Sequence, residues 1–156
     1  MRIVALFLLL TMITARAQTR DYAKTPKDKP VHMEGAQQQA EVDRAIAPYV
    51  AQARKTYPAA KKRFEAGLPP KYLFSLTTKL WDRSHTKSEV VFVVAEKIKS
   101  GTVTGHLATH TKQPIGYNWG DRVSFPESKV MDWTIVHPDG TEEGNVVGKF
   151  LDTYKQ

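Results

Sequence analysis

Asp132 and Glu89 are the two residues of this sequence whose types and settings could carry out a reaction. Asp132 stands directly before Trp133, and Glu89 precedes the most apolar run of the chain, Val90 to Ala95. Two such acids can divide the roles of general acid and general base in a small hydrolase. An Asp at a bend can instead accept backbone N–H groups and fix a corner, and Asp caps turns far more often than it catalyses. On the second reading Asp132 is a structural corner, as is the Gly120-Asp121 turn upstream. Glu89 with Asp132 as paired carboxylates is the enzymatic alternative. Trp133 fits either role, because a large ring buries well once its indole N–H has an acceptor.

Other chemistries are poorly supported. The chain has no Cys, which removes thiolate nucleophiles and Cys-based metal sites. No two His stand one helical turn apart as a zincin requires. His106 and His110 are four apart, but on an extended strand that is about 13 Å, too far to share a metal unless the chain bends between them. Asp139, Glu142 and Glu143 flank a turn without the alternating Asp/Asn ligands and fixed Gly of a calcium loop. No metal and no cofactor is expected. The remaining candidates bind: Lys112, Gln113, Tyr117, Asn118 and Trp119 lie in a loop broken by Pro114 and Gly116. Loops carried on a rigid sheet concentrate recognition residues, and Tyr and Trp lose little entropy on binding. Tyr117, Trp119 and Trp133 are therefore the binding candidates, the recognition surface being expected on this loop and not on the helices. The competing reading of Trp119 is a lid folded back on the open end of the sheet.

Where such a protein works is written at its start. Residues 1–17 carry Arg2, the apolar run Ile3 to Ile13, and Ala15 and Ala17 before a cleavage point, the three parts of a secretory signal peptide. The run is too short for a membrane span, which takes about 20 residues. Cleavage would leave Gln18 first and lower the formal charge from +7 to +5, since Arg2 and Arg16 go with it. The expected product is periplasmic or secreted and does not span a membrane. Its modest basicity, combined with export, argues against nucleic acid. An anionic glycan, a lipid surface or an acidic protein suits it better.

The elements that must position these residues follow from pattern. Residues 18–35 are polar, with Lys24, Lys27 and Lys29 between prolines, and read as a flexible leader. Residues 36–156 are enough for one domain with a single core. Ala36 to Gly67 is helix-forming in composition, and Pro48 and Pro58 divide it into three expected helices, Gln38–Ile46, Pro48–Thr56 and Pro58–Ala66. Ile46, Tyr49, Val50, Ala53, Tyr57, Ala60 and Phe64 share an apolar face, leaving Arg54, Lys55, Lys61, Lys62 and Arg63 to solvent. From Lys71 the period becomes two. Tyr72 to Leu80 alternates as a half-buried strand, and Val90 to Ala95, apolar on both faces, is the expected central strand. Lys99-Ser100-Gly101 turns the chain, and Thr102–Thr109 returns with Gly105 at a bulge or close contact. A short strand with Val123 and Phe125 precedes a Pro-led bend and the Asp132-Trp133 strand. His137-Pro138-Asp139-Gly140 turns again, and Asn145–Leu151 reads as a last strand. The fold class is α+β, with N-terminal helices packed on a bent antiparallel sheet or small, partly open β-barrel of about six strands.

Glu89 before the central strand, Gly105 with Leu107, Pro114, Gly120-Asp121, Phe125, Asp132-Trp133 and Gly148 resemble, in order and spacing, the bacterial YegJ-like family, domain of unknown function 2314. The resemblance runs from about Val50 to Tyr154. This chain has Phe92 where the family has Trp, and Gln113-Pro114 where it has Asn-Pro. What the resemblance implies is the α+β fold and a bacterial origin. It brings no catalytic residues with it.

Overall fold

The computed structural model describes residues 36–111 and 115–154; the signal peptide expected at 1–17 and the leader at 18–35 lie outside these. Two helices accompany one sheet: α1 (Ala36–Ala66), β1 (Leu73–Trp81), β2 (Ser88–Lys99), β3 (Thr102–Leu107), β4 (Arg122–Pro126), β5 (Asp132–Val136), β6 (Glu142–Gly144) and α2 (Val146–Thr153). The sheet runs β4-β3-β2-β1-β5-β6, and each of its pairings is antiparallel. The α+β class and the count of six strands agree with the sequence expectation, and the sheet is open, not a closed barrel.

The three expected helices are one. Proline in a helix interior costs about 3 kcal/mol and removes a hydrogen bond, yet α1 runs unbroken through Pro48 and Pro58. Packing overrides that cost from both sides of each proline. Val42 and Ile46 are buried with Val147 of α2, and Ala53, Tyr57 and Ala60 are buried further along the same helix. Their spacing keeps one stripe through both prolines, whose rings sit on the exposed face where water can serve the freed carbonyls.

The last expected strand is also a helix. Val146, Gly148 and Phe150 alternate as a strand would, but Val147, Phe150, Leu151 and Tyr154 recur at helical spacing, and they pack against Val42, Ile46 and Tyr49. Tyr49 stacks on Phe150 at 4.1 Å between ring centroids. The sixth strand is instead the short β6. The chain leaves it through Gly144 and Asn145, both at positive φ. A side chain on Gly144 would overlap the Trp133 carbonyl, so only glycine fits there.

Register fixes the two faces of the sheet. Phe74, Leu76 and Leu80 of β1 lie with Val91, Val93, Val103, Leu107, Val123, Phe125, Trp133 and Ile135 in the main cluster, against Tyr57 and Ala60 of α1. The other face of β1 was expected to be polar and half exposed, but Ser75 and Thr77 are buried beside a second cluster of Leu73, Phe92, Val94, Ala108 and Val136. The apolar neighbours supplied by β2 and β5 decide this, and the alternation within β1 does not reveal it. The expected irregularity at Gly105 is present: the register shifts between Ala95 and Lys97, and a side chain on Gly105 would overlap the Val94 carbonyl.

The connection from β4 to β5 shapes the whole sheet. In a flat sheet these strands would be four spacings apart, about 19 Å. Their facing ends would also be offset by the stretch Phe92 to Lys99 along β2, about 23 Å. That separation of about 30 Å exceeds the roughly 20 Å that the chain from Pro126 to Asp132 can span, so the sheet must curl. A 3-10 turn, Glu127–Lys129, makes the crossing. Tyr57 Oη and Lys61 Nζ both donate to Glu127 Oε1 (3.0 and 2.7 Å), and the Thr78 hydroxyl donates to Lys129 O (3.0 Å). Burial, followed by the Glu127 carboxylate, pushes the Tyr57 phenol well above its ordinary value.

Candidate functional site

Asp132 sits at the start of β5 with no exposed surface. Its Oδ1 accepts the Trp133 N–H (2.8 Å) and its Oδ2 accepts the Val147 N–H (2.6 Å). The first turn of a helix leaves N–H groups without intrahelical acceptors, and one carboxylate thereby ties α2 to the sheet. Trp133 points to the core face, and its indole Nε1 donates to Thr56 Oγ1 of α1 (2.9 Å).

Glu89 is buried as well but projects elsewhere. It pairs with Leu80, whereas Asp132 pairs with Thr77. Residues in register share a face and successive residues alternate. Leu80 and Thr77 are three apart, so Glu89 and Asp132 leave opposite faces of the sheet, on strands separated by β1.

The turn at Gly120-Asp121 is bonded from both directions. Gly120 N donates to Leu107 O, and Leu107 N donates to Asp121 O (both 2.8 Å). Asp121 Oδ2 accepts the Asn118 N–H (2.7 Å). His106 of β3 and His110 beyond its end are engaged separately. His106 Nδ1 lies 3.0 Å from Gly120 O and its Nε2 lies 3.1 Å from Glu96 Oε1, while His110 stacks on Trp119. Arg122, then His106, holds the Glu96 carboxyl below its usual range. Trp119 is 43 % exposed, so it is no buried lid.

The acids after the hairpin are also committed. Thr141 N and its hydroxyl both donate to Asp139 Oδ1, and Asn145 Nδ2 donates to Glu142. Arg63 of α1 bonds both oxygens of Glu143 (2.6 and 2.9 Å), and His137 Nε2 lies 2.8 Å from it. These partners, Arg63 first, lower the Glu143 pKa from 4.5 to about 2. Among the described residues no three His, Asp or Glu converge as a metal site.

A cleft of about 910 Å³ lies between the far end of β1, the loop at Ile115 to Tyr117, and the β4–β5 crossing. Its size falls in the range of ligand sites. Arg54, Lys79, Arg83 and Lys129 supply cations, and Asp82 is the acid among the lining residues. Asp82 is turned into its own loop, where Ser84 Oγ, Thr86 N and Lys87 N donate to it. These bonds, that of Ser84 first, hold its carboxyl far below the ordinary range. Lys79 is paired with Asp43 of α1 (2.9 Å). Arg54 donates to the carbonyls of Val130 and Ser128, and among the described residues Arg54, Arg83 and Lys129 form no ion pair. Aromatic surface borders these charges: Trp81, 41 % exposed, tilts against His85, and Tyr117 and Phe125 line the wall.

Of the three binding candidates, the cleft contains Tyr117; Trp119 stands outside its lining and Trp133 is core. The cleft takes Ile115, Gly116 and Tyr117 from the loop and Arg54 from the helix; Lys112 and Gln113 of the loop lie outside the described residues. The basic residues of α1 do not simply face water: Arg54, Lys61 and Arg63 reach across to residues more than sixty positions later, while Lys55 and Lys62 are exposed. Sequence reasoning missed Trp81, Lys79, Arg83 and Lys129, which the curl of the sheet brings together; the one local signal was a Trp followed at once by a polar turn. No described helix is long and apolar enough to cross a membrane. No protein-family model, no curated protein and no solved structure matches this chain.

Proposed function

We propose that this chain is an exported, non-enzymatic binding or inhibitory module that holds an anionic partner in the cleft between β1 and the β4–β5 crossing. The observation that carries the reading is the charge of the lining: Arg54, Arg83 and Lys129 line the cleft with no carboxylate partner among the described residues, beside exposed Trp81. A concave site with one sign of charge and low-dielectric walls concentrates ligands of the opposite sign. Aromatic walls add contact area at low entropic cost. Export rests on the arrangement of residues 1–17, and membership of the YegJ-like bacterial family rests on the spaced residues from Glu89 to Gly148. The hydrolase alternative needs Glu89 and Asp132 to act together, and their opposite projection argues against it.

The test titrates the protein lacking residues 1–17 with poly-L-glutamate, a heparin-derived hexasaccharide and phosphatidylglycerol vesicles, followed by Trp fluorescence. Saturable, salt-sensitive binding to at least one is expected. The R83Q/K129Q variant should weaken it about tenfold, through loss of two charge contacts. A K55Q/K62Q control, which removes two charges outside the cleft, should bind as the parent does. Equal weakening by both pairs, or no binding at all, would refute the reading.

A further inference from the structure

β1 outruns its neighbour. β5 pairs with β1 only from Leu73 to Thr77, so the stretch Thr78 to Trp81 has β2 on one side and no strand on the other. The phase of the ladder determines which backbone groups are left on that open side. Asp82 N donates to Lys87 O (2.9 Å) across the β1–β2 pair, and hydrogen-bonding direction alternates along a strand. Even-numbered residues of this stretch therefore bond toward β2, and Lys79 and Trp81 direct their N–H and C=O groups away from it. Thr77 O, in the same phase, accepts from Met131 N (2.8 Å) on that side. Beyond it the crossing keeps to β1 through the Thr78 hydroxyl, which donates to Lys129 O (3.0 Å), and among the described residues Lys79 and Trp81 have no strand partner on that side.

This edge is one wall of the cleft, since Lys79, Leu80 and Trp81 line it, with Phe125, Lys129 and Met131 beyond. An unpaired strand edge is a template for another strand. Sheet proteins commonly blunt such an edge with proline or cover it, and β4 does carry Pro126 at its end. The Thr78–Trp81 stretch has neither proline nor bulge. Beside it lie Arg54, Arg83 and Lys129, which form no ion pair among the described residues.

Resting on the reading of the cleft as an anion site, we propose that its ligand is an acidic segment of another protein, bound in extended form as a strand added to β1 at Lys79 and Trp81. Main-chain bonds to these two residues supply affinity, and alternate side chains supply specificity. Carboxylates on one face of the segment meet Arg54, Arg83 and Lys129, and apolar residues on the other meet the exposed Trp81. A glycan of equal charge would satisfy the cations but has no peptide groups to continue the ladder.

The probe is an end-blocked heptapeptide of alternating Glu and Val, compared with two copies N-methylated at alternate residues in the two possible registers. Binding is measured by Trp fluorescence, and amide exchange of Lys79 and Trp81 by NMR. The expected result is binding of the parent peptide, exchange at both amides slowed about tenfold or more, and a loss of about tenfold for one N-methylated register but not the other. If both methylated peptides bind as well as the parent and the two amides exchange unchanged, strand addition is wrong while the anion site stands. If the heparin hexasaccharide binds and the heptapeptide does not, the site is for glycans and the proposal fails alone. If no anionic probe binds, both the proposal and the reading beneath it fall.

Discussion

Replacing Asp132 tests whether one carboxylate joins the second helix to the sheet. In the folded protein this side chain is fully buried and accepts two backbone N–H groups, those of Trp133 and Val147. Hydrogen bonds to a charged group contribute about 1.5 to 3 kcal/mol each, and a buried donor left without a partner costs a similar amount. Asp132→Ala should therefore lower stability by about 3 kcal/mol, taking the lower figure for each bond. For a domain of this size that is roughly 10 °C in midpoint. Asp132→Asn should lose about half as much, because an amide can accept from one of the two donors but turns its own NH2 group toward the other. Urea melts followed by circular dichroism give the energies, and amide exchange at Val147 reports on α2 directly. The Ala variant should show faster exchange throughout Val146–Thr153 even under native conditions. If Asp132→Ala melts like the parent and Val147 stays protected, the corner role is wrong and a chemical role for Asp132 gains.

Two further outcomes follow from individual side chains. Arg63 and His137 depress the folded pKa of Glu143 to about 2 from 4.5, so its contribution is fully present above pH 4.5 and is lost as pH falls toward 2. The stability gap between the parent and Glu143→Gln should then be constant above pH 4.5 and close by about pH 2; urea melts showing the same gap at pH 2 and pH 7 would contradict this. Among variants retaining a single Trp, the one keeping Trp119 should be quenched readily by acrylamide and the one keeping Trp133 should be shielded, given exposures of 43 % and 8 %. Trp119→Ala should cost well under the ~3 kcal/mol of a core Trp, and shielding of Trp119 equal to that of Trp133 would restore the lid reading.

The strands were legible because their alternation is local. β1, β3, β4 and β5, and the turns at Ser100-Gly101 and Pro138-Asp139-Gly140, lie where residue types place them. The two misreadings share a cause. Pro48 and Pro58 carry strong local signals against helix, and Val146, Gly148 and Phe150 carry a local signal for strand, but both are outweighed by distant contacts, those of α1 with α2 about a hundred residues away and, around Pro58, those of Tyr57 and Ala60 with the sheet. Propensity is a weak prior against packing of that kind. The buried reverse face of β1 escaped for a similar reason, since Ser75 and Thr77 are covered through neighbours that other strands bring.

The cleft belongs to neither kind of signal. Its cations come from four places in the sequence, Arg54, Lys79, Arg83 and Lys129, and no motif joins them. They meet because the β4–β5 crossing is too short for a flat sheet, and the curl it imposes carries Phe125 and Lys129 toward the end of β1. The same short crossing makes β5 begin opposite Thr77 instead of opposite Trp81, which leaves the last residues of β1 with β2 on one side and no strand on the other. A longer crossing would let the sheet flatten and could let β5 run the full length of β1. Charge, aromatic wall and open edge would then be separated together. The site is thus a consequence of one connection length, and the residues that hold that connection in place, Tyr57, Lys61 and Thr78, shape the cleft without lining it.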